Sequence, residues 1–94
     1  MLTLPDNVVS YKKTPDFTAE TVPAGLLKDH STKSGTWGVL TVEKGVVEYT
    51  ITEPGYEGRH QLDSSTPGVI SPLHKHHISA EGDVKFHVTF YREG

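Results

Sequence analysis

Three histidines crowd into the segment Pro72-Leu73-His74-Lys75-His76-His77. In an extended chain successive side chains project to opposite sides, so His74 and His76 share one side and His77 takes the other. Two imidazoles on one side make half a metal site. Neutral imidazole is the common nitrogen ligand of Zn, Ni, Cu and Fe, at about 2.0 to 2.1 Å for zinc, and a site needs a third and usually a fourth donor from elsewhere. His30 is the best outside donor. The competing reading is a solvated, His-rich turn at a barrel mouth, and for His30 alone a hydrogen-bonded structural role at a strand end. His60, beside Arg59, is expected to be exposed and without function, and His87 is expected to point away from the core.

Other chemistries lack their parts. The chain has no Cys, which removes thiolate nucleophiles, disulfides and Cys-built metal sites and leaves nitrogen and oxygen donors alone. Asp29 precedes His30, but neighbours on a strand face opposite ways, so a side-chain dyad between them is rejected. There is no Ser-centred elbow, no phosphate-cradling glycine loop and no paired-carboxylate geometry. Trp37, between Gly35-Thr36 and Gly38, is assigned to packing. A net charge of −3 argues against a nucleic-acid partner, because binding a polyphosphate backbone requires concentrated Lys and Arg. With no export signal at Met1 to Asp6 and no apolar run of about 18 residues, a cytoplasmic protein without membrane contact is expected.

The elements that must position these histidines read as strands. Apolar residues recur in blocks of four to eight bounded by turn residues, and no long stretch carries helical spacing. Trp37 to Val42, the turn Glu43-Lys44-Gly45, and Val46 to Ile51 read as a hairpin, with Val47, Tyr49 and Ile51 on one face. In Val84 to Tyr91 the residues Val84, Phe86, Val88 and Phe90 share a face that must be core, opposite Lys85, His87 and Thr89. Short strands are expected near Arg59 to Leu62 and Gly68 to Ile70. Val8 to Tyr11 and Gly25 to His30 are further candidates, and Lys12 to Pro23 is a strand-poor connection. A chain of 94 residues supports a single domain over 1–94. So many short strands must form two packed sheets or a closed barrel, and a small jelly-roll or double-stranded β-helix fits best. Pairing of two copies through a sheet edge or face, a homodimer, is compatible with so small a core.

The run Pro23-Ala24-Gly25-Leu26-Leu27-Lys28-Asp29-His30, with Thr32-Lys33, Gly35-Thr36-Trp37-Gly38, Leu40-Thr41-Val42 and Gly45, resembles the small cupin-like domain of tellurite-resistance proteins of the TehB type. Tyr11-Lys12-Lys13 with Pro15, Pro72 followed by His76, Ile78 and Ala80, and the closing Phe90-Tyr91 extend the resemblance over nearly the whole chain. It implies an all-β, cupin-like double-stranded β-helix, a small jelly-roll barrel. In longer TehB proteins methyl transfer belongs to a separate Rossmann-like domain, whose glycine-rich fingerprint this sequence lacks.

Cupins build a metal site inside the barrel from a His-rich motif with a Glu and from one later His. Gly68-Val69-Ile70-Ser71-Pro72 leading to His76 resembles the later motif, which favours His76 over His77. The first motif is incomplete: His30-Ser31-Thr32 supplies one His, and no carboxylate stands near Thr36 to Gly38. His74 can replace the missing nitrogen, giving His30, His74 and His76 with water completing the shell of a divalent transition metal such as Zn, Ni or Fe. The leading expectation is a stress-related binding domain that holds a metal ion, an oxyanion such as tellurite, or a small molecule. A metal-dependent small cupin enzyme and a structural or dimerisation module without ligand are the alternatives.

Overall fold

Alternation of apolar and polar residues dictates seven strands, and the computed structural model describes them over residues 4–32 and 34–93. Lys33 of the Thr32-Lys33 pair and the first three residues of the N-terminal segment lie outside the described residues. The strands are β1 (Val8–Lys13), β2 (Thr36–Lys44), β3 (Val47–Ile51), β4 (Gly58–Leu62), β5 (Gly68–Ile70), β6 (His76–Ala80) and β7 (Lys85–Glu93). They form two antiparallel sheets, one of order β1-β7-β2-β5 and one of order β4-β3-β6. Between the sheets, Leu40, Val42, Val47, Tyr49, Leu62, Ile70, Ile78, Val84, Phe86 and Val88 make one buried apolar cluster. β2, β3 and β7 each contribute alternate residues, as a half-buried sheet requires, whereas β1 contributes none.

The expected hairpin between the second and third strands is not formed. β2 pairs with β5 and β7, whereas β3 pairs with β4 and β6. The chain turns a corner between them, from one sheet into the other, so their inward residues face each other across the core. Glu43 is an extra residue in the β2–β7 ladder, a bulge between Val42 and Lys44, and bulges bend the strand that carries them. Gly45 then adopts φ +77°, and a Cβ there would stand 2.6 Å from the Asp83 carbonyl oxygen. The corner therefore packs on the turn before β7, where Lys44 Nζ also meets Asp83 Oδ2 at 2.6 Å.

β6 followed by β7 runs back beside β3 followed by β2, and β4 followed by β5 does the same on the other flank. A two-stranded antiparallel ribbon thus winds through both sheets. Of the two expected outcomes, two packed sheets are formed and the closed small jelly-roll barrel is not: no ladder joins the two sheets among the described residues. β5 has only three residues, and beyond β6 a single bridge at His30 takes the place of a further strand.

The first 30 residues also differ from expectation in one segment. β1 appears as expected, but Gly25 to His30 is no strand. A 3-10 turn over Ala24–Leu26 follows Pro23, whose φ of −61° suits a turn start, and the Leu26 and Leu27 amides donate to the Pro23 and Ala24 carbonyls. Among the described residues no helix is long and apolar enough to cross a membrane.

Candidate functional site

His76 opens β6 in phase with Ile78, so the alternation that buries Ile78 at 3% exposure also buries His76 at 1%. His77 faces the other way and donates its Nδ1–H to Asp29 Oδ1, 2.8 Å away. That bond holds the Asp29 carboxyl below its ordinary range. Asp29 thus serves His77 and not His30, as the alternation argument demands.

His30 lies directly across from His76. Each backbone amide donates to the other residue's carbonyl, at 2.9 and 2.8 Å. Directly opposed residues of an antiparallel pair carry their side chains on the same face, and the two rings meet edge to face with centroids 4.3 Å apart. Imidazoles 46 positions apart in the chain, the difference between 76 and 30, are brought together by one bridge.

The tautomers follow from the carbonyls. His30 Nδ1 is 2.9 Å from the Lys28 carbonyl oxygen and His76 Nδ1 is 2.8 Å from that of His74. A carbonyl only accepts, so each Nδ1 carries the proton and each Nε2 keeps a free lone pair. A backbone carbonyl fixing the distal nitrogen is the usual support of a metal-ligating histidine. Burial, as the largest influence, holds the His76 ring below its ordinary 6.5, helped by the charges of His30 and His77 and opposed by the His74 carbonyl and Asp29. The ring is therefore neutral at physiological pH.

These two histidines line a cavity of about 240 Å³ with Leu26, Ser31, Thr32, Ile70, Val88 and Phe90. Its walls are apolar except for the imidazoles and two hydroxyl-bearing residues. The turn from β5 into β6 carries Leu73 at φ +66°, and the Leu73 amide donates to the Thr32 carbonyl at 3.0 Å. A Leu in the left-handed region is strained, and such strain persists where surrounding bonds impose it.

His74 supplies a backbone carbonyl to the site, while its ring stacks on Tyr56 with centroids 4.1 Å apart. The ligand atoms of His30, His74 and His76 do not all lie within 4.8 Å of one another; among the described residues the three-donor group that does is Asp16, Glu43 and His87. Two aromatic neighbours were not anticipated. Tyr49 meets the His76 ring edge to face at 5.4 Å, and His60 lies 6.1 Å from Tyr49. His60 is half-buried on the face of β4 that carries Leu62, which corrects the expectation of an exposed side chain. Alternation back from Leu62 was the available signal, and the adjacent Arg59 obscured it. Burial pushes the Tyr49 phenol up to about 12, so the hydroxyl stays neutral and is no phenolate ligand.

A family model described as the TehB-like domain matches residues 12–88. TehB of Haemophilus influenzae, named as a probable S-adenosyl-L-methionine-dependent methyltransferase, is 41% identical over 51 residues, which are 53% of this chain and 18% of that protein. YeaR of Escherichia coli K12 is 28% identical over 97% of this chain and 83% of its own length. Among solved structures, TehB from H. influenzae superposes with a TM-score of 0.84 at 30% identity, covering 94% of this chain and 32% of that one. A protein of E. coli K12 superposes with a TM-score of 0.89 at 26% identity, covering 100% and 99%. The chain thus spans about a third of the solved TehB.

Proposed function

The chain belongs to the TehB-like domain family, and from that premise we propose that it is a cupin-like binding domain whose His30–His76 pocket holds a divalent transition metal together with a small molecule. The ribbon of β2 and β3 with β6 and β7 returning beside it supports the cupin-like, double-stranded β-helix description. The observation that carries the binding reading is the pair of Nε2 lone pairs, each fixed by a backbone carbonyl behind its ring.

The donor set fits a metal in part. Two imidazoles supply two nitrogens of the right kind for Zn, Ni or Fe, and the cavity leaves the remaining positions to water or to a ligand's own oxygens. His74 becomes a third nitrogen only if its ring leaves Tyr56. Bound there, the metal supplies Lewis acidity; the chain orients the two imidazoles, and Leu26, Ile70, Val88 and Phe90 give the ligand an apolar wall. An oxyanion such as tellurite suits the pocket less well at neutral pH, because an anion meets lone pairs there instead of N–H donors. Methyl transfer is named for relatives of which this chain matches a minor part, and it is not proposed here. A cytoplasmic location and pairing of two copies complete the proposal.

Calorimetry of metal-stripped, untagged protein with zinc, nickel and tellurite is the test. The expected result is binding of a divalent metal that His30→Ala and His76→Ala each weaken by about tenfold or more, with His74→Ala close to wild type. Metal affinity unchanged in both inner-pocket variants would refute the reading. Tellurite binding that strengthens on acidification would replace the metal by an oxyanion.

A further inference from the structure

On the opposite face of β7 lies a second group of ligand-bearing side chains, unconnected with the pocket. His87 is outward-facing, across from Thr41 of β2, yet its side chain is only 11% exposed. Its Nδ1 is fully buried and has no hydrogen-bond partner. Asp16 Oδ1 is the facing carboxylate oxygen, 3.4 Å away.

Two neighbouring strands and one bridged segment place the three residues. Asp16 is held beside β7 by the reciprocal bridge of Phe17 and Phe86, whose amides donate to each other's carbonyls at 2.7 and 3.0 Å. Glu43 is the bulge residue of β2, and a bulge re-aims the side chain it carries. One donor atom from each of Asp16, Glu43 and His87 lies within 4.8 Å of the other two. Among the described residues Lys85 brings positive charge to the group: its Nζ stands 3.6 Å from Asp16 Oδ2 and 3.9 Å from Glu43 Oε2, on a half-exposed side chain.

We propose that Asp16, Glu43 and His87 form a second metal site, on the outer face of the four-stranded sheet, that takes a divalent first-row transition ion of the zinc class. An imidazole nitrogen and two carboxylate oxygens are three ligands of a kind that zinc accepts, with water in the fourth position. The nitrogen donor disfavours calcium and magnesium, which take oxygen shells. A buried ring nitrogen without a partner, facing a carboxylate, is an arrangement that a shared cation satisfies. Lys85 is the resident competitor: its ammonium sits at the same two carboxylates and swings out to solvent when the metal enters.

The test is a zinc titration of the full, untagged chain carrying His30→Ala and His76→Ala, so that the inner pocket contributes nothing. The expected result is one remaining zinc equivalent, weakened about tenfold or more by Asp16→Asn or Glu43→Gln, and a zinc-dependent shift of the His87 ring resonances. Both carboxylate side chains are exposed, so these variants keep the fold. Lys85→Gln strengthens zinc binding by up to about fivefold, the competition an exposed ion pair can exert. The proposal is overturned by no zinc uptake in this background, or by uptake that neither carboxylate variant alters. Loss of binding at the inner pocket alone leaves it standing.

Discussion

Mild acid should destabilise this domain through His76, and replacing that residue should reduce the effect markedly. His76 is 1% exposed, and burial holds its ring below the ordinary value of 6.5. The unfolded chain therefore takes up a proton at this position in a pH range where the folded chain does not. Stability is complete above 6.5 and is lost as pH falls from there through the folded-state value, the sign expected of a histidine buried neutral. One such proton costs at most about 1.4 kcal/mol of stability for each pH unit within the window. Asp29 works lower: its carboxyl is held below 3.8, so its contribution is present above that value and lost beneath it. Asp29 therefore adds nothing to the slope just below 6.5, where His76 acts.

Urea unfolding of metal-free protein, followed by Trp37 fluorescence between about pH 7.5 and 5.5, reads the slope directly. Wild type should lose stability over this range and His76→Gln should lose markedly less. The same protonation consumes the Nε2 lone pair, so zinc affinity should fall in the same window. Equal slopes in wild type and variant would refute the reasoning, because the buried imidazole would then not be the group that takes up the proton.

Two further predictions concern the frame around the pocket. A Cβ on Gly68 would stand 2.5 Å from Leu62 Cδ1, so Gly68→Ala should cost about 1 to 3 kcal/mol in chemical denaturation; in a double-mutant cycle with Leu62→Ala the penalty should largely vanish, and full additivity would count against a clash between the sheets. Leu73 is 58% exposed at φ +66°, so Leu73→Gly should raise stability by about 1 kcal/mol, and an unchanged denaturation midpoint would show that its backbone carries no strain.

What the sequence disclosed was which side chains turn inward. The buried sets of β7 and β3 follow from period-two alternation, because a side chain's face is a local property of the strand. Which sheet a strand joins is not local. The turn Glu43-Lys44-Gly45 looks the same whether it folds a hairpin or rounds a corner, and the choice was made by Gly45 packing on Asp83 and by β7 pairing along β2. β6 escaped notice as a strand because its only large apolar residue, Ile78, stands among His, Ser and Ala. The meeting of His30 and His76 was anticipated from residue type and resemblance, with no local signal for the bridge that makes it. The position of the His74 ring depends on Tyr56, a residue 18 positions earlier, the difference between 74 and 56, in a turn-rich excursion.

The same alternation makes the two proposed sites separable. Val88 lines the inner pocket while its neighbour His87 belongs to the outer cluster, so consecutive residues of β7 serve opposite faces of one sheet. The chemistry of the faces differs accordingly. Inside, imidazole nitrogens in an apolar cavity ligate without supplying counter-charge, so a metal held there retains its positive charge and draws in an anionic or polar ligand. Outside, two carboxylates neutralise a divalent ion, and little attraction for a further anion remains. A ligand that binds only in the presence of metal should therefore be lost with His30 or His76 and survive substitution of Asp16. The reverse pattern would mean that the inner cavity is not where the ligand is recognised.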